Sequence, residues 1–110
     1  MYTVIETAIF QRYSASVWSA DECAEFVSWI AENPEAGDVI AQTGGLRKVR
    51  WSRNGMGKRG GARVIYFNRL ESGWIALVIV YAKAKFDNLP ASVLKTWKDA
   101  IDESLDQKTP

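Results

Sequence analysis

The residues Trp74–Tyr81 read WIALVIVY, an almost continuously apolar run. An alternating strand shows one apolar face; a short run without alternation reads as a central strand buried on both faces. Ala62–Leu70 precedes it across Glu71-Ser72-Gly73 and forms a hairpin with it. A third extended run, Leu46–Trp51, begins after Gly44-Gly45 and is joined to the hairpin by a loop rich in glycine and cations. Tyr2–Glu6 alternates and is rich in β-formers, which adds a short fourth strand.

Helical spacing fills the remainder. Ile9, Phe10 and Tyr13 predict a short helix over Thr7–Tyr13, broken at Ser14-Ala15-Ser16. Ser19-Ala20-Asp21-Glu22 is a capping box, in which the serine hydroxyl and the glutamate carboxylate each satisfy the other residue's amide. Behind it Cys23, Phe26, Val27 and Ile30 make one apolar face, and Asn33-Pro34 stops the helix. Pro34 to Gly45, with a short apolar pair at Val39-Ile40, is a connection that crosses an edge of the sheet. Asp87-Asn88 and Pro90 open a last helix whose stripe is Leu94, Trp97, Ile101 and Leu105, so Trp97 reads as a packing residue. The order is β-α-α-β-β-β-α in a single domain over residues 1–110. That is an α+β class: a mostly antiparallel four-stranded sheet with helices packed on one face. The other face is then expected to be open and basic.

The net charge of +1 hides a strong segregation. Residues 1–46 carry −6, residues 47–85 carry +9 and residues 86–110 carry −2. A concentrated positive region of this kind suits a polyanionic partner. Histidine is absent and Cys23 is the single cysteine. Zinc sites, Ser-His-Asp triads and Cys-His pairs are thereby excluded, and no metal or other cofactor is expected. One cysteine also excludes an internal disulfide and fits a reducing compartment. Cys23 reads as a small apolar residue of its helix. No apolar run reaches the length of a membrane span, and the N-terminus lacks the marks of a signal peptide. The expected location is the cytoplasm, with no membrane partner.

Alternate residues of a strand face opposite ways. In Leu46–Trp51, Lys48 and Arg50 share one face, while Arg47, Val49 and Trp51 share the other with Val49 and Trp51 as core. Arg63 begins the next strand, and Lys83 and Lys85 follow the last one. The glycine loop adds Arg53, Lys58 and Arg59. Its Gly55–Gly60 spacing matches the dinucleotide fingerprint formally, but a strand-forming sequence follows where that fingerprint needs a helix. A phosphate loop fails as well, because Arg59 follows Lys58. Exposed amides and cations remain, suited to a phosphate backbone without specificity for one.

Together GGLRKVR, GKRGGARVIYF, the strand end Tyr81-Ala82-Lys83-Ala84-Lys85 and DNLPASVLKTW resemble the HigB-like branch of the RelE/ParE superfamily. These are small toxins of bacterial type II toxin–antitoxin systems. The resemblance runs from about Val4 to Ile101. It implies a RelE-like fold and an endoribonuclease that cleaves messenger RNA in the ribosomal decoding site. It also implies a cognate antitoxin, commonly a helix-turn-helix protein, through which alone the toxin would meet operator DNA. The family's basic residues on the first central strand are matched by Lys48 and Arg50, its arginine on the next strand by Arg63, and its basic cluster after the last strand by Lys83. Ala84 stands where the family has a further arginine, which leaves Lys85 to take that part. The family's tyrosine near the start of the C-terminal helix has no counterpart around Phe86–Leu89.

RNA is cut without a metal when its 2′-oxygen attacks the neighbouring phosphorus. A base must take the 2′ proton, cations must stabilise the added charge, and an acid must protonate the leaving 5′-oxygen. Without histidine, a lysine among other cations is the tunable base, which fits Lys48 beside Arg50. Arg63 suits charge stabilisation through its two-pronged guanidinium. Lys83 or Lys85 would act as acid or second clamp, and Arg53, Lys58 and Arg59 would hold the RNA backbone. Two alternatives stay open: a gyrase-poisoning ParE-like toxin, and a non-enzymatic nucleic-acid-binding module. The density of cations on the open face favours RNA.

Overall fold

The computed structural model describes residues 2–51, 61–82 and 88–108. Its strands are β1 (Thr3–Glu6), β2 (Asp38–Val39), β3 (Arg47–Trp51), β4 (Ala62–Arg69) and β5 (Trp74–Tyr81). Its α-helices are α1 (Ala8–Val17), α2 (Ala20–Glu32) and α3 (Ala91–Lys108). The strands form one sheet in the order β1-β5-β4-β3-β2. β1 runs parallel to β5, and the other pairs are antiparallel. The apolar run is as deep as its composition requires, with Ile75 to Tyr81 all buried. A 3-10 turn, Leu70–Ser72, closes the β4–β5 hairpin and ends at Gly73, whose φ of 83° favours glycine.

The register shifts between Ile65 and Tyr66, so that Ile65 opposes Ile79 while Tyr66 opposes Leu77. Val78 is the extra residue of this bulge. Thr7 closes it from outside, its hydroxyl donating to the carbonyls of Leu77 (2.7 Å) and Val78 (3.3 Å). The same oxygen accepts the Phe10 amide and caps α1. β1 pairs with only the first half of β5, Trp74–Leu77. α1 packs along β5 and contributes Phe10 to the core on one face of the sheet and Ile9 to the other. A helix beside the unpaired half of a strand protects that edge.

Two apolar clusters flank the sheet. The first face carries Val49, Val64, Tyr66 and Leu77 against Phe10, Trp18, Phe26 and Ile30. Its aromatic rings are contiguous: Trp18 and Phe26 are 5.5 Å apart, Phe26 and Trp51 5.6 Å, and Trp51 and Trp29 5.0 Å. The second face carries Ile65, Phe67, Ile79 and Tyr81 against Leu94, with Trp97, Ile101 and Leu105 packed on it. Trp97 is thus a packing residue, as its place on the stripe predicts.

The α+β class and the mostly antiparallel sheet agree with the sequence reading. The α2 capping box is formed, with Ser19 Oγ accepting from the Glu22 amide at 3.1 Å and the Ser19 amide donating to Glu22 Oε1 at 3.2 Å. Three features differ. The connection after Pro34 supplies a fifth strand, β2, whose Asp38 and Val39 pair with Lys48 and Arg47. Tyr66 seats this turn, its hydroxyl donating to the Pro34 carbonyl (2.9 Å) and accepting from the Gly37 amide (2.8 Å). α1 continues through Ser14–Ser16, because buried Ser14 turns its hydroxyl to the Trp18 indole and does not compete with the helix backbone. Finally, α2 covers the first face while α3 lies over part of the second, so the expected open face is only partly open. No helix among the described residues is long and apolar enough to cross a membrane.

Candidate functional site

Cross-strand partners share a face, so the register sorts the second face into rows. Arg50 opposes Arg63, and Arg63 opposes Tyr81. The next row is Lys48, Ile65 and Ile79. Beyond it lie Phe67 with Ala76, then Arg69 with Trp74. The far rows hold α3: the Lys98 ammonium sits 5.1 Å from the Phe67 ring centroid, and Asp102 forms an ion pair with Arg69 at 2.5 Å. The row of Arg50, Arg63 and Tyr81 stands at the opposite end of the same face. Arg50 is exposed there, and Lys48 and Arg63 are half-buried.

Each cation is placed by a specific neighbour. The Arg63 guanidinium donates from Nη1 to the Ala82 carbonyl at 3.1 Å. The Arg50 side chain lies across Gly61, where a methyl group would stand 3.0 Å from its Nε. Lys48 is the diagonal neighbour of Arg63, a separation of roughly 7–8 Å between backbones that long side chains span. Arg47 points the other way, as strand alternation requires. Its guanidinium donates to the Gly37 carbonyl at 2.7 Å and anchors β2.

The structure therefore brings Lys48, Arg50 and Arg63 together on one surface. Lys83, Lys85, Arg53, Lys58 and Arg59 lie outside the described residues. Two residues near the cations were not singled out by the sequence. Tyr81 belongs to the arginine row, but only the β4–β5 register reveals it; the residue is 2% exposed and belongs to the core of this face. By sequence Gly61 is one more glycine of the loop before β4. Its distinguishing sign is its place two residues before Arg63, on the same face and beside Arg50.

A groove of about 740 Å³ lies elsewhere, between α1 and α2. Its walls hold Glu6, Ser14, Trp18 and Cys23 and, among the described residues, no lysine or arginine, so it is separate from the row of Arg50 and Arg63. Cys23 is not simply apolar: its thiol lies 3.6 Å from Ser14 Oγ and 3.7 Å from Glu6 Oε1. Burial pushes this thiol above its ordinary 9.0; the Ser14 hydrogen bond opposes the rise and the Glu6 carboxylate adds to it.

No family model matches the sequence. Among solved structures, the chain is similar to the E. coli toxin RelE in its free state, a double arginine-to-alanine mutant. The TM-score is 0.56 at 16% sequence identity, covering 76% of this chain and 84% of that one. The chain has a RelE-like fold. In this RelE-like frame the β3–β4 pair presents two guanidiniums and an amine on one exposed strip. Such a strip can hold the two free oxygens of a phosphodiester by charge-assisted hydrogen bonds.

Proposed function

We propose that this protein is a HigB-like toxin of a type II toxin–antitoxin system, an endoribonuclease that cleaves messenger RNA on the ribosome without a metal. The observation that carries this reading is the row in which Arg50 and Arg63 face each other beside Lys48, on a RelE-like fold. Arg63 and Arg50 grip the scissile phosphate and stabilise the charge that develops on it. Lys48, diagonal to Arg63, takes the 2′ proton. Lys83 or Lys85 serves as acid or second clamp, and Arg53, Lys58 and Arg59 hold the RNA backbone. The protein acts in the cytoplasm and is held in check by an antitoxin with a helix-turn-helix domain, encoded by an adjacent reading frame.

The test is induction of the wild-type chain followed by primer extension on cellular messages. Fresh internal 5′ ends within translated messages are the expected result. DNA-damage signalling without such ends would replace this reading with gyrase poisoning. Absence of both, with RNA binding retained, would leave a non-enzymatic binding module.

A further inference from the structure

We propose that Gly61 is a positioning residue: its missing side chain is the seat across which the Arg50 side chain lies, and it sets where that guanidinium stands beside Arg63. The inference rests on the phosphate-gripping reading of Arg50 and Arg63, and adds a residue that touches no substrate.

Four observations support it. Gly61 is buried, although it lies just outside β4. A Cβ built on it would meet Arg50 Nε at 3.0 Å, Cγ at 3.5 Å and Cδ at 3.7 Å, and these are its three nearest atoms. The obstacle is therefore one flexible side chain and not the backbone. Gly37 supplies the contrast: there a methyl would stand 2.9 Å from the Tyr66 ring and 3.0 Å from the Lys48 carbonyl carbon, both fixed by the sheet. Moreover, the Gly61 backbone is outside the left-handed region that would demand glycine, whereas Gly44, Gly45 and Gly73 are inside it. Conformation does not require a glycine at position 61; the path of Arg50 does. Arg50 and Arg63 are direct cross-strand partners, so a long side chain free to swing would move away from a like charge. Lying across Gly61 keeps Arg50 on the row.

The variants are Gly61→Ala, Arg50→Ala and the double mutant. The readouts are thermal unfolding, the NMR resonance of Arg50 Nε–H, and affinity for a labelled single-stranded RNA by fluorescence anisotropy. Gly61→Ala is expected to remain folded, shift the Arg50 resonance, and lose most of the affinity that Arg50→Ala loses, about 10- to 100-fold for one charged contact. The double mutant is expected to bind no worse than Arg50→Ala alone. An unmoved resonance overturns the proposal, as do additive losses or a collapse of folding that the double mutant does not relieve. If the wild type binds no RNA, the functional reading falls, and the resonance alone decides the seat: a shift upholds it and no shift rejects it.

Discussion

Arg50 and Arg63 stand directly opposite one another on β3 and β4, on the face that α3 partly covers. Opposed like charges destabilise a sheet by about 0.2–1 kcal/mol. Two guanidiniums held this way favour an anion between them. Arg50→Gln should therefore raise the urea midpoint without changing the slope of the transition. The same substitution should lower RNA affinity and reduce the steepness of its salt dependence by about 0.7, one phosphate contact on a single strand. A less stable variant with the wild-type salt slope would remove the clamp from consideration.

Arg63 is the more constrained of the pair, because its guanidinium is tied to the Ala82 carbonyl at 3.1 Å. In the proposed function that bond holds the fork for a two-pronged phosphate contact. Arg63→Ala should abolish growth arrest on induction while near-UV circular dichroism stays native. Arg63→Lys should restore little, since an ammonium cannot reproduce the planar fork. Growth arrest by Arg63→Ala at wild-type strength would contradict its proposed role in charge stabilisation.

α3 is fastened to the sheet by Asp102, which lies 2.5 Å from Arg69 Nη2 and 3.7 Å from Lys98 Nζ. Arg69 in turn sits 5.6 Å from the Trp74 ring centroid. Among the described residues Asp102 Oδ1 has no hydrogen-bond donor, and its short contact with Arg69 is an ion pair. The carboxylate separates two cations, and Asp102→Asn would leave them facing one another. A loss of about 1–2 kcal/mol is expected, partly recovered in 1 M salt. The exposed Lys95–Asp99 pair at 3.0 Å is the control, with a cost of only about 0.3–0.5 kcal/mol for Asp99→Ala. Equal costs at both sites, measured by denaturant unfolding, would show that Asp102 fastens nothing.

What could be read from the sequence was whatever repeats or caps locally. The WIALVIVY run, the Ser19–Glu22 box and the two-way partition of Arg47–Trp51 each follow from residue order alone. β2 could not be read, because two residues carry no period and the turn that leads into them is held by Tyr66, twenty-nine positions away from Gly37. The break expected at Ser14–Ser16 is absent because the Ser14 hydroxyl accepts from the Trp18 indole four residues on, a side-chain contact that propensity does not include. The side chosen by α3 was hidden for a related reason. A strand buried on both faces requires cover on both, but the run itself does not say which helix goes where. At the site, Lys48 and Arg50 follow from alternation. Tyr81 and Gly61 enter only through the β3–β4–β5 register, which the bulge at Val78 alters.

The pH dependence of stability should lie on the alkaline side. Burial raises the Cys23 thiol above 9.0 and the Tyr66 phenol above 10.0, the latter partly opposed by the Gly37 amide and the Arg47 charge. Both are neutral when protonated, and both hold their protons longer in the folded chain. Above each ordinary value the unfolded chain has released a proton that the folded chain keeps, so stability falls as pH rises. The contribution of Cys23 is whole below 9.0 and that of Tyr66 below 10.0; each is lost as pH climbs through the raised folded value. Thermal unfolding should thus begin to weaken near pH 9 in the wild type, and the Cys23→Ala curve should lack that first part while keeping the later one. Tyr66→Phe should lack the later part, at the expense of about 1–3 kcal/mol at every pH for the hydrogen bonds lost at Pro34 and Gly37. Superimposable pH profiles for the wild type and Cys23→Ala would show that the thiol in the α1–α2 groove ionises as freely folded as unfolded.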